Sequence, residues 1–302
     1  MGIDKILKRL EQYCTIEYDK SFKTLTTFKI GGIARYVLYP NDEFSLKSIL
    51  DILNENNLSY KVFGHGSNLL CADDVYDGFI IKLTRNMSNF YFADNELIAQ
   101  AGCSIISLAY KASEKSLSGL EFASGIPGTL GGCIFMNAGA YNSSMSDLVD
   151  SVKVMRNNEI VWLTNAQCQF GYRSSIFLNN PDWIILEVKL KLKEGNTNDI
   201  KKLMKNRQKR RMESQPLNYP SAGSTFRNIG DIFAWKLIDE IGFRGKTIGG
   251  AAVSEKHTNF IINKGNAKAR DVIALSDQII DIVKNKYGIE MIMEVEKFDW
   301  KK

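Results

Sequence analysis

Chemistry in this chain begins with glycine. Residues 125–141 read GIPGTLGGCIFMNAGAY, with five glycines and a proline in seventeen positions and no formally charged side chain. Glycine reaches φ > 0 and lets the backbone approach another molecule closely, because no Cβ stands in the way. Gly125, Gly128, Gly131 and Gly132 can therefore aim several main-chain N–H groups at one anion, and such a concavity holds a diphosphate without any lysine. A glycine-rich hairpin packed against a neighbouring element would use the same residues, and a short glycine pattern does not separate the two readings. A second place of this kind is GHGSNLL at residues 64–70, where Gly64, His65, Gly66, Ser67 and Asn68 form a small-residue turn.

Other chemistries have less to work with. The five cysteines, Cys14, Cys71, Cys103, Cys133 and Cys168, are odd in number, widely spaced and without a CxxC pair, which argues for reduced thiols and against a disulfide framework or zinc site. His65 and His257 are the two histidines, too few for a multi-histidine metal centre. The net charge of +5 suits anionic small molecules and nucleic acid alike. Basic residues crowd 201–211, but a charge run of this kind is usually a solvated helix face. Taken alone, Arg173 reads as a strand-end arginine paired with an acid, and Ser224 as the residue after a turn glycine.

These residues need elements to position them. The 302 residues allow one large or two to three small domains, and 44% hydrophobic with 24% charged residues is ordinary for a soluble globular protein. No stretch approaches a membrane span, and the N-terminal MGIDKILKRLEQY has no apolar signal-peptide core, so the cytoplasm is the expected compartment. The pattern predicts strand, tight turn and strand over 24–39 around Gly31 and Gly32, then a helix over 41–57 with Leu46, Ile49, Leu50 and Leu53 at helical spacing. A strand over 60–63 leads into the 64–70 turn, and a helix over 104–117, capped by Ser104, leads into the long glycine stretch. Strands over 149–163 and 183–193 flank FGYRSSIF. From about residue 200 strand gives way to helix and loop, with helices over 198–213, 231–241 and 266–287, the last closed by Gly288. The final segment, 289–298, alternates as a strand that puts Glu290, Glu294 and Glu296 on one face if it is regular.

The unusual stretches also stand in a recognisable order: TTFKIGG, GHGSNLL, GIPGTLGGCIFMNAGAY, FGYRSSIF, PSAGSTFRN, GGAAVSEKHTNFI and IMEVEKF. Together they resemble the UDP-N-acetylenolpyruvoylglucosamine reductase (MurB) family of peptidoglycan synthesis, and the likeness runs from Thr26 to Phe298. The resemblance implies an α+β fold. Two subdomains, 1–82 and 83–200, would form an FAD-binding module of the PCMH or vanillyl-alcohol-oxidase type, and 201–302 a C-terminal α+β substrate-binding domain. It implies non-covalent FAD, NADPH as co-substrate, a nucleotide-sugar substrate, and a monomer that binds neither nucleic acid nor membrane. In the family reaction NADPH reduces the flavin, and hydride then passes to the methylene carbon of an enolpyruvyl ether.

Carried over residue by residue, the match makes Arg173 the catalytic arginine opposite the developing enolate, where a planar cation favours the transition state over the ground state. Ser224 becomes the proton donor to the new carbanion, and Glu294 a catalytic glutamate near the reacting carboxylate. Ile30 and residues Gly64 to Asn68 become flavin contacts. So do Gly125, Ile126, Pro127, Gly128 and Thr129, followed by Gly131, Gly132, Ala138, Gly139 and Ala140. Tyr172, Asn228, Lys256 and His257 become substrate contacts.

The sequence departs from the family pattern at Ile33 and Ile229, where proline is usual, and at His65, where a small residue is usual. Arg173 and Ser224 stand close together in sequence, as in the shorter of the two family types. A different flavin oxidase of the same fold would keep both flavin loops but would not need PSAGSTFRN or the terminal glutamate. A nucleic-acid-binding protein using the basic helix would bind in a steeply salt-dependent way and carry no chromophore.

Overall fold

The computed structural model describes residues 2–157 and 159–300. The chain is α+β and divides into two compact units. The first comprises Met1–Glu17, Tyr36–His65 and Gly78–Lys209, and the second Tyr18–Arg35, Gly66–Asp77 and Arg210–Lys302.

The first unit is built on a five-stranded antiparallel sheet with the order Glu159–Thr164, Val149–Arg156, Ile184–Lys191, Glu96–Gln100, Phe90–Ala93. The run 149–163 is thus a hairpin, not one strand. Its β-branched residues alternate: Val152, Val154 and Val188 are fully buried while their neighbours are less so. The helix expected over 41–57 is present, started by a cap the sequence reading did not name. Asp42 accepts from the Ser45 N–H at 2.7 Å and starts the helix Glu43–Glu55, whose Leu46, Ile49, Leu50 and Leu53 are buried. Ser104 caps Ile105–Glu114 through the Ser107 N–H. The strand Tyr60–Phe63 runs parallel to residues 79–82, with Phe63 opposite Lys82, and delivers Gly64 at its end.

In the second unit the antiparallel strands Thr247–Ile248, Ala251–Val253 and Ile261–Asn263 are joined at Ile262 by a single bridge from Ser221, and a separate bridge pairs Phe226 with Met293. The helices Ala234–Glu240 and Ala269–Tyr287 supply Leu237, Ile238, Val272, Leu275, Ile279 and Val283 to a core shared with Ala251, Val253 and Ile261. Asp73 accepts from the N–H groups of Ala269 and Arg270 at the start of the long helix, and Gly288 ends it at φ +68°.

Two expectations fail. Residues 24–39 are not strand, turn, strand: Phe22–Leu25 is a short helix capped by Ser21, and a strand forms only at Ile33–Pro40. Gly31 and Gly32 serve close packing instead of a hairpin turn, since a Cβ on Gly32 would lie 2.0 Å from the Asp74 carbonyl oxygen. Residues 289–298 are not one regular strand either. Only Glu296–Phe298 pairs regularly, parallel to Leu69–Cys71, so a common face for Glu290, Glu294 and Glu296 is not formed. The predicted basic helix is present as Thr197–Ser214, burying Ile200 and Met204.

Candidate active site

In the first unit the two glycine stretches meet. A Cβ on Gly64 would sit 2.3 Å from Thr129 Oγ1, so only glycine lets the 64–65 turn close on Thr129. Thr129 is buried, and its hydroxyl accepts from the Gly132 N–H at 3.3 Å to begin the helix Leu130–Phe135. Several N–H groups of this stretch are spent within the chain: Gly128 on Ile126, Leu130 on Cys103 and Gly131 on Ala101. The N–H groups of Gly64, His65 and Thr129 have no intrachain acceptor among the described residues. Thr129 is buried, and a buried N–H left so is expensive; an anionic ligand oxygen resolves it. These residues therefore fit the diphosphate of a dinucleotide.

Behind the turn stands Lys82, which sequence reasoning missed. Its amine donates to the Gly64 carbonyl at 2.9 Å, and burial, with Arg85 nearby, pushes its pKa down to about 8. Burial and the Lys82 charge also hold the His65 imidazole below its ordinary range.

Arg173 lies at the tip of a tight turn closed by the Gly171 and Ser174 main chains, in the left-handed region at φ +50°. A non-glycine residue held there costs about 1 kcal/mol or more and needs surroundings that enforce it. Three hydrogen bonds do so. Arg173 Nη2 donates to Gly139 O at 3.0 Å, Asn137 Nδ2 to Gly171 O at 2.8 Å, and Ser175 Oγ to Phe135 O at 2.6 Å. The arginine turn is thus tied to both ends of segment 135–139. Asn137 and Ser175 were not singled out from sequence, although the NAG and RSS contexts contained them. Gly139 pairs with Ser144 and Ala140 with Ser143, Ala138 accepts from Met145 through its carbonyl, and Gly125, Ile126 and Pro127 precede the cap. Tyr172 is 59% exposed beside the Arg173 guanidinium.

In the second unit Ser224 follows Gly223, which sits at φ +82°. The next residue, Thr225, accepts at its carbonyl from the Glu294 N–H at 2.8 Å, so Ser224 and Glu294 lie on adjacent, directly bonded segments. Asn68 Nδ2 donates to Glu294 O at 3.0 Å, and the Glu296 N–H donates to Asn68 O at 2.9 Å. The Asn68 side chain is thereby engaged with the glutamate segment. Gly66, at φ +63°, accepts through its carbonyl from the Thr27 N–H, and Ser67 lies between the two. Ile30 is buried in the apolar core of this unit. Asn228 Oδ1 accepts from the Ala234 N–H at 3.1 Å and so starts a helix. Lys256 is exposed and bonded through its amine to the Met212 carbonyl. His257 is half-buried against Phe260, its Nδ1 accepting from the Asn259 N–H, and burial holds it below the ordinary histidine range.

Comparison with known proteins matches two family models. A model of the UDP-N-acetylenolpyruvoylglucosamine reductase C-terminal domain matches residues 215–298, and a model of an FAD binding domain matches residues 34–164. The UDP-N-acetylenolpyruvoylglucosamine reductase of Caldanaerobacter subterraneus subsp. tengcongensis is 42% identical over 295 residues, covering 97% of each chain. The chain belongs to the UDP-N-acetylenolpyruvoylglucosamine reductase family. The Clostridioides difficile member is 42% identical over 282 residues, 93% of this chain and 92% of its own. The crystal structure of the Thermus caldophilus family member superposes with a TM-score of 0.82 at 31% identity, covering 95% of this chain and all of that one. As a member of this reductase family the chain is an FAD-dependent oxidoreductase. Among the described residues no cluster of metal-ligating side chains is present, and no helix is long and apolar enough to cross a membrane.

Proposed function

We propose that this enzyme uses NADPH to reduce the enolpyruvyl ether of UDP-N-acetylglucosamine enolpyruvate to the lactyl ether, giving UDP-N-acetylmuramate in the cytoplasm, and that it acts as a monomer. The observation that carries the proposal is the direct main-chain bond between Thr225 and Glu294, which fixes a hydroxyl donor and a carboxylate on neighbouring segments. Bound FAD supplies the hydride relay between NADPH and the methylene carbon of the ether. The chain's own residues do the rest.

Addition of hydride to the methylene carbon leaves negative charge on the adjacent carbon, delocalised into the substrate carboxylate. Arg173, held rigid by its bond to Gly139, presents a planar cation to that charge, which stabilises the transition state more than the ground state. Ser224 donates its proton to the carbanionic carbon. An alcohol is a weak acid, but an enolate carbon is basic enough to take its proton. Glu294 orients the reacting carboxylate or the water that restores the serine proton. Gly64 to Ser67 and Gly125 to Ala140 hold the cofactor, with Ile30 and Asn68 beside it. Tyr172, Asn228, Lys256 and His257 hold the nucleotide sugar, the Asn228 amide nitrogen donating to a phosphate oxygen.

The test is turnover in D₂O with isolation of the product. One solvent deuterium is expected on the lactyl carbon next to the carboxylate. A product with no deuterium there would overturn protonation at that carbon.

A further inference from the structure

Among the described residues the Ser224 hydroxyl has no hydrogen-bond partner that would fix it. Ser224 enters from Gly223, whose surroundings are open: a Cβ added there would meet nothing within 4 Å. Rigidity must therefore come from the residues that follow, and Asn259 holds the first two of them. Asn259 is 4% exposed and its polar atoms are matched to the backbone of residues 225 and 226. Its main-chain carbonyl accepts from the Thr225 N–H at 2.7 Å. Its side-chain Oδ1 accepts from the Phe226 N–H at 2.9 Å, and its Nδ2 donates to the Phe226 carbonyl at 2.8 Å. The amide thus satisfies both polar groups of one residue, as an opposing strand residue would. Its own N–H is turned to His257 Nδ1.

The opposite edge is held as well. The Thr225 carbonyl accepts from Glu294 N–H at 2.8 Å and the Arg227 N–H donates to Ile292 O at 2.9 Å, while on the Asn259 side Thr225 Oγ1 also accepts from the Ile261 N–H at 3.2 Å. One unbroken row of hydrogen bonds then runs from Asn259 through Thr225 and Glu294 to Asn68. Asn259 is the end of that row nearest the serine.

We propose that Asn259 is a positioning residue for Ser224. Its main-chain carbonyl holds the Thr225 N–H and its side-chain amide holds both polar groups of Phe226, which together set where the Ser224 hydroxyl points, while the Thr225 carbonyl, bonded to the Glu294 N–H, keeps that segment in register with Glu294. The proposal rests on Ser224 acting as proton donor in the reaction proposed above. A buried polar group bonded on all sides holds its neighbours to one geometry, and small displacements of a reacting group are costly in rate.

The experiment is anaerobic stopped-flow on wild type, Asn259→Ala and Asn259→Asp, following flavin bleaching by NADPH and then reoxidation by the enolpyruvyl substrate. FAD content and unfolding midpoint are measured alongside. Wild type must show both phases; if its reduced flavin is not reoxidised by that substrate, the proposed reaction falls and the role of Asn259 falls with it. With wild type behaving as proposed, Asn259→Ala is expected to keep FAD and the bleaching rate while reoxidation at saturating substrate slows by about 10- to 100-fold with little change in half-saturation. Asn259→Asp keeps the acceptor for Phe226 but loses the donor, so it should show the same selective loss, and it carries the test if the alanine variant does not fold. Val272→Ala, a core variant of the same unit, serves as control and should lower the unfolding midpoint without separating the two phases. Equal loss in both phases, or no selective loss in either folded Asn259 variant, would overturn the positioning role while leaving the reaction standing.

Discussion

Ser224 carries the most demanding assignment, because it must yield a proton that its ordinary acidity would not release. Its segment is fixed to Glu294 by a 2.8 Å main-chain bond, so substitution at the hydroxyl changes chemistry with little change in framework. Ser224→Ala should leave flavin reduction by NADPH intact while slowing reoxidation by the enolpyruvyl substrate about 100-fold or more. Stopped-flow spectra separate the two, and equal slowing of both would contradict the role. Lys82 offers a different test. The folded chain releases its proton near pH 8, whereas the unfolded chain holds it to about 10.5. The unfolded state therefore binds more protons between these values, and the lysine's contribution to stability rises with pH across that window. Below pH 8 the full cost of burying the charge is present. In urea unfolding, the stability of wild type minus that of Lys82→Met should rise by about 3 kcal/mol from pH 8 to 10.5. A difference that stays flat would mean the amine is not buried as a cation at neutral pH.

At the scale of elements, the closure of the 64–65 turn on Thr129 makes the proposed cofactor loop sensitive to a single methyl group. Gly64→Ala places a Cβ 2.3 Å from Thr129 Oγ1, and the threonine that caps Leu130–Phe135 must move. FAD affinity, read by flavin fluorescence quenching, should fall about tenfold or more, the loss of a cap bond of ~1 kcal/mol plus the displaced donors. Unchanged affinity would show that the two stretches do not share one ligand. Elements were legible in the sequence where their signals are local. Ser104 and Gly288 act within one turn of themselves, and each bounds the helix expected there. Where the reason is distant the reading failed. Gly31 and Gly32 are glycines because they press on residues 71–74, not because they form a hairpin. The alternation over 289–298 is broken because Glu294 and Glu296 bond to Asn68, a partner more than two hundred residues away.

At the scale of the whole chain, the change at about residue 200 marks where the helix Thr197–Ser214 begins, but the sequence does not announce that Tyr18–Arg35 and Gly66–Asp77 join the later residues in one unit. That grouping depends on contacts such as those of Asn263 with Phe28 and Lys29 and of Thr27 with Ser221, which leave no periodic trace. The glycine stretches and the order of the motifs were readable because backbone chemistry restricts which residues can serve there. Asn137, Ser175, Lys82 and Asn259 were not, because each acts by holding another residue. The measurement that tests the central claim most directly is the anaerobic spectrum of the purified protein, taken before and after NADPH and again after UDP-N-acetylglucosamine enolpyruvate. A flavin band that bleaches with NADPH and returns with that substrate is the predicted result; a bleached band that the substrate cannot restore would contradict the proposed reaction.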